Sequence, residues 1–198
     1  MKKMIVGLAL ILLILGCSFN SGADGKISKY NFFPELSDEY KITSYFMNSQ
    51  EKAIYKKLDK EQRTNFLYSF WQKMDPNPVT SGNEQVEELK IRIEYANQNF
   101  SHFKKGWKTD RGRIFIKYGM PFERRSENTG QGIMSDKHAN KDYEIWKYRL
   151  NEERTYIFFD HQSHGEFNII YSSGDNSEQT LPNWLDYLGS SFDPGELY

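Results

Sequence analysis

Gly106-Trp-Lys-Thr-Asp-Arg-Gly-Arg-Ile-Phe-Ile-Lys-Tyr-Gly119 is the stretch at which the hydrophobic rhythm of this 198-residue chain changes. Before it, apolar residues recur every three or four positions, the period of a helix with one buried face. Ser37-Asp38-Glu39 is placed to cap a short helix reaching about Met47, and Ser49 to start another through Leu58. Asp59 with Gln62 has the spacing of a capping box, and the helix it opens runs to about Lys73, where Pro76 and Pro78 forbid continuation. The clearest helix covers 83–103, with Val86, Leu89, Ile93, Ala96, Phe100 and Phe103 on one stripe. After Gly106 the pattern becomes β-branched and aromatic. Arg113–Tyr118 reads as a strand closed by Gly119 and Pro121. The segments 143–150, 154–160 and 166–171 complete an antiparallel meander of about four strands. Residues 123–142 are charged and aperiodic and read as a long mobile loop. Residues 181–188 read as a short docking helix. The expectation is an α+β domain, with a helical layer (37–103) packed on a C-terminal antiparallel meander (113–173).

The N-terminus carries an address. Lys2 and Lys3 precede an uncharged apolar run from Ile5 to Leu15, which is shorter than the roughly 20 residues a membrane-spanning helix needs. A cationic start, a short apolar run and a small residue describe a secretory signal over 1–16. Ile14-Leu15-Gly16-Cys17 resembles a bacterial lipobox, which implies a diacylglyceryl group on the Cys17 thiol. Cys17 is the sole cysteine, so an internal disulfide is excluded, and with its thiol taken by the expected anchor no cysteine nucleophile is expected either. Residues 17–30 read as the lipidated residue and a polar tether, and 31–198 as the domain. Ser18, which is not Asp, resembles the sorting pattern for the outer membrane, periplasmic side. Two or three acyl chains on one residue anchor a protein durably.

Without Lys2 and Lys3 the chain holds 24 basic and 27 acidic residues, a formal charge of −3. That balance argues against a nucleic-acid partner, which calls for a basic face. Aromatic residues make up 16%, so Phe, Tyr and Trp must supply much of the core. If the strand aromatics also populate the sheet face turned away from the helices, that face is a binding surface. Otherwise they are divided between core and isolated surface positions.

The motif residues each have a structural task open to them. Gly106 can adopt positive φ and end the long helix, and Trp107 can fill the corner between helix and sheet. Thr109 and Asp110 can accept bonds from backbone N–H groups of the turn, and Gly112 permits close approach. A ligand-binding role for the same run is the alternative. Asp75 and Asp110 could act as an acid–base pair. Arg92, Arg111 and Arg113 nearby favour instead an ion-pair network joining helices to sheet. His161 and His164 have a His-x-x-His spacing, but zinc sites ordinarily need three or four protein ligands, so no metal is expected. No phosphate-binding glycine loop follows a strand, and no Gly-x-Ser-x-Gly elbow is present. No cofactor is implied.

Gly106-Trp107-Lys108-Thr109-Asp110-Arg111-Gly112 resembles the signature of the GWxTD-domain family of bacterial secreted or lipid-anchored proteins. Upstream, Trp71, Asp75 and Pro76 resemble a second element of that family. Downstream, Tyr118-Gly119-Met120-Pro121 resembles its Tyr-Gly-x-Pro turn, Trp146 and Tyr148 its Trp-x-Tyr strand, and Leu181–Trp184 its tail. The resemblance implies secretion or anchoring and brings no particular activity with it. The expected function is a non-enzymatic, membrane-anchored interaction module that binds another envelope protein. The alternative is an envelope hydrolase using Asp75 and Asp110.

Overall fold

The computed structural model describes residues 32–33, 38–130, 138–189 and 192–197. The signal, Cys17 and the tether lie outside the described residues, as do 131–137 of the expected loop. The first helices start where the capping chemistry places them. α1 (Glu39–Thr43) is capped by Asp38, and α2 (Ser49–Lys57) opens on a reciprocal Asn48/Glu51 capping box. α3 (Lys60–Lys73) opens on the Asp59/Gln62 box. α4 (Glu84–Phe100) buries Val86, Leu89, Ile93, Ala96 and Phe100, the expected stripe less one member. Ser101 turns extended, so Phe103 leaves the stripe and is 74% exposed.

Two expectations are corrected. Residues 113–118 are not the first strand; they belong to a helix, α5 (Asp110–Tyr118). Their β-branched and aromatic side chains favour a strand, but tertiary context outweighs propensities of a few tenths of a kcal/mol per residue. Ile114, Phe115 and Ile116 are all buried, and only a helix also aligns Asp110, Arg113 and Lys117 on its polar side. The first strand lies instead within the presumed loop: β1 (Glu123–Asn128) pairs antiparallel with β2 (Asp142–Arg149). β1 is an edge strand, and its charged composition is what keeps an exposed edge from pairing with other chains.

β3 (Glu153–Asp160) and β4 (Phe167–Ser173) complete a four-stranded antiparallel sheet in the order β1-β2-β3-β4. Helices followed by an antiparallel meander make the domain α+β. Side-chain alternation gives the sheet two apolar faces. Trp146, Tyr148, Tyr156 and Phe158 join the core formed with α3, α4 and α5. Tyr143, Ile145, Ile157, Phe159 and Ile170 form a second core under the C-terminal segment, which contributes Leu188 and Leu197. That segment docks through a 3-10 turn at Trp184–Tyr187, with Trp184 against Tyr171 at 4.3 Å and Tyr187 against Phe159 at 5.4 Å between ring centroids. The tail thus covers the second face, and the strand aromatics are divided between two cores instead of forming an open binding platform.

Candidate functional site

The signature run is a joint between α4, α5 and the sheet. Gly106 opens a single 3-10 turn (Gly106–Lys108), and its role is close approach, not the positive φ expected. A Cβ at position 106 would stand 1.8 Å from the Ala96 carbonyl oxygen on α4. A Cβ at position 112 would stand 1.9 Å from the Gly106 carbonyl oxygen. Two glycines therefore let three backbone segments stack almost in contact. Thr109 is the N-cap of α5: its Oγ1 accepts from Gly112 N at 3.0 Å and donates to Gly106 O at 2.7 Å. Trp107 is 1% exposed within the main core, and Tyr45 donates its hydroxyl to the Trp107 carbonyl at 3.2 Å. Burial pushes the Tyr45 phenol up to about 12, so it stays a neutral donor.

Asp110 begins α5 and uses both carboxylate oxygens. Oδ1 accepts from Arg113 Nη1 at 2.8 Å, and Oδ2 accepts from the backbone N–H of Ile169 on β4 at 3.0 Å. β4 is the other edge strand, so Asp110 satisfies a donor that the sheet cannot. Thr180 and Leu181 continue the cover by bonding Ser172 and Ile170. Arg113 grips both oxygens of Glu178, at 3.1 and 2.7 Å, and Lys117 reaches Asp175 at 3.1 Å. Burial disfavours the Asp175 charge, but bonds from Ser177, Tyr156 and Tyr118 outweigh it and hold the carboxyl below the usual range. One polar row of α5 is thereby tied to the loop after β4. Asp110→Ala is expected to destabilise the chain by about 2–3 kcal/mol in urea titrations. The loss combines an unpaired Ile169 N–H with a broken, three-quarters-buried ion pair. Wild-type stability in that variant would contradict a structural role.

Arg111 points the other way, into the core. It meets Glu144 at 2.9 Å, donates to Gly165 O at 3.1 Å, and lies 4.0 Å over the Phe167 ring. Arg124 from β1 binds the same carboxylate through two bonds, at 3.2 and 2.9 Å, and the Trp146 indole donates to it at 2.8 Å. Sequence reasoning missed Glu144, Arg124, Asp175 and Glu178. A signal for Glu144 existed. It stands two residues before Trp146 on a strand whose alternate positions face the helices, so it had to be a buried acid, and a buried acid requires a cation.

The remaining candidates are dispersed. Trp71 is fully buried; its indole donates to Thr43 Oγ1 at 3.1 Å, and its carbonyl accepts from Asn83 at 2.7 Å. Asp75 and Pro76 occupy the turn after α3, where Asp75 accepts from Asn77 N at 3.0 Å. Tyr118 bonds Asp175 at 2.8 Å, Gly119 ends α5 with φ of 75°, and Pro121 is buried. His161 packs against Phe159 and Tyr187, and burial, with His138 nearby, lowers its pKa. Among the described residues no three His, Cys, Asp or Glu side chains converge as metal ligands.

Asp110 and Arg113 also line an open cleft of about 490 Å³. Lys41, Tyr45 and Lys52, from α1, α2 and the corner between them, line it as well. Asp75 is not part of its lining, so the structure does not bring the two proposed catalytic carboxylates into this cleft. The family model described as the GWxTD domain matches residues 19–176. No curated protein and no solved structure matches the chain.

Proposed function

This chain belongs to the GWxTD-domain family, and from that membership we propose that it is an envelope lipoprotein whose folded domain binds another envelope protein. In this reading acylated Cys17 fixes the domain at the outer membrane, facing the periplasm, and the domain catalyses no reaction. The observation that carries it is the employment of Asp110. Both oxygens of the motif carboxylate are already accepting bonds, from Arg113 and from Ile169 N, and its supposed catalytic partner Asp75 lies outside the cleft. A carboxylate tied within α5 at one oxygen and to the edge of β4 at the other is fixed as a structural joint, and no second carboxylate of the proposed acid–base pair stands beside it in the cleft. The motif is therefore spent on shape, and what it supports is a rigid domain with a solvent-facing cleft.

Mass spectrometry of the mature N-terminus tests the anchor: acyl mass on Cys17 is expected, with none on Cys17→Ser. Cross-linking in intact membranes followed by purification is expected to yield a stoichiometric protein partner. Release of soluble fragments from isolated peptidoglycan, abolished by Asp110→Asn at unchanged melting temperature, would replace this reading with the hydrolase.

A further inference from the structure

The cleft beside the signature turn has an unbalanced charge. Four cationic side chains line it, Lys41, Lys52, Arg113 and Lys117, against two carboxylates, Asp110 and Glu178. Arg113 is consumed by Asp110 and Glu178, and Lys117 by Asp175 behind the wall. Lys41 and Lys52 are left over: neither ammonium forms an ion pair with a described residue. Lys52 is half-buried and Lys41 exposed, with the Lys41 ammonium 5.7 Å from the centre of the Tyr45 ring. Two ammonium groups without a counter-charge in one concave cleft leave it net positive, so an incoming anion gains charge-assisted hydrogen bonds there.

We propose that this cleft holds an acidic peptide segment of the protein partner, its carboxylates received by Lys41 and Lys52. The inference rests on the protein-binding reading above and names the chemistry of the partner. The other polar groups choose among anions. Asp110 and Glu178 in the lining would repel a densely charged phosphate more than a peptide, whose separated carboxylates can reach Lys41 and Lys52 while staying clear of both. Gln179 and Ser177 on the rim add side chains able to pair with peptide amides. The edge of β4 cannot accept the peptide as an added strand, because Asp110 and Thr180 already occupy its donors. The segment must therefore bind through its side chains and charge.

The test is fluorescence anisotropy with the full acylated chain in a non-ionic detergent. The probe is a fluorescein-labelled peptide of four glutamates separated by serines. Saturable binding is expected, and the same peptide with glutamine in place of glutamate should bind at least about ten-fold more weakly. Lys41→Gln with Lys52→Gln should lose affinity by a similar factor at unchanged melting temperature, since neither ammonium supports the fold. Lys56→Gln with Lys57→Gln, on α2 outside the cleft, should change nothing. Equal binding by both double variants would overturn the proposal. So would displacement of the peptide by millimolar inorganic phosphate, or lysine-dependent capture of phosphatidylglycerol vesicles in its place. If the cross-linked partner still binds the Lys41/Lys52 variant undiminished, the cleft assignment falls while the protein-binding reading stands. If no partner is captured by either form, the reading itself falls.

Discussion

Glu144→Ala should cost the domain about 3–5 kcal/mol, the loss typical of removing one member of a buried ion pair. The reason is what it leaves behind. Glu144 is 6% exposed and receives Arg111, Arg124 and the Trp146 indole. Without it, Arg111, whose side chain is only 10% exposed, keeps its charge inside the core with the Gly165 carbonyl and the faces of Phe167 and Phe100 in place of a carboxylate bond. Arginine cannot escape by deprotonating. Arg124 is 35% exposed and can turn towards water, so Arg111 carries most of the penalty. That asymmetry gives a second measurement. Arg111→Met combined with Glu144→Leu should recover most of the lost stability, because buried ion pairs are often replaceable by apolar groups of similar volume. Urea midpoints for the single and double variants decide the matter. A Glu144→Ala chain within about 1 kcal/mol of wild type would mean that water or a rotated side chain takes over the bonds.

Gly106→Ala should be nearly as damaging for a geometric reason. The new methyl group would sit 1.8 Å from the Ala96 oxygen, 2.5 Å from the Ala96 carbonyl carbon and 2.9 Å from Asn97 Cα. All three are backbone atoms of α4, so no side chain can swing aside. Overpacking ordinarily costs about 1–3 kcal/mol, and a clash with a helix backbone belongs at or beyond the upper end. Relief would require the 3-10 turn to lift away from α4, carrying Trp107 out of the core and shifting the start of α5. Gly82 is the control: nothing lies within 4 Å of its would-be Cβ, and its backbone is not left-handed. Gly82→Ala should leave the melting temperature unchanged or slightly raised, because alanine restricts the unfolded chain more than glycine does. Equal stability of the two alanine variants would show that the close approach at Gly106 contributes nothing.

These two sites also mark the boundary of what a linear reading can reach. The caps at Asp38 and Asp59, the stripe on α4 and the three later strands were legible because each is a local pattern: a side-chain oxygen three residues from a free N–H, or apolar residues at a fixed period. The special character of Gly106-Trp107-x-Thr109-Asp110 was legible too: Thr109 does accept from a backbone N–H of the turn, whereas Asp110 accepts from Ile169 on β4 instead. What misled was Arg113–Tyr118. Its composition favours a strand, and the helical spacing of Asp110, Arg113 and Lys117 acquires meaning only with Asp175 and Glu178 about 60 residues later. β1 was hidden for the converse reason. An edge strand with little to bury has no apolar alternation to display, and only its pairing with β2 reveals it.

The sequence by itself thus determined the class of fold, the order of helices before strands, the glycine-rich joint that follows the long helix and the family to which the chain belongs. Those properties reside in short-range patterns that backbone sterics and hydrogen-bonding rules translate directly. Only the tertiary structure decided that 110–118 is a helix, that the C-terminal tail closes the second sheet face and that Asp110 is occupied. It also decided that Lys41 and Lys52 share an open cleft. Each of these depends on which distant residues meet, and a buried charge or an unpaired strand edge finds its partner in space, wherever the chain happens to supply one.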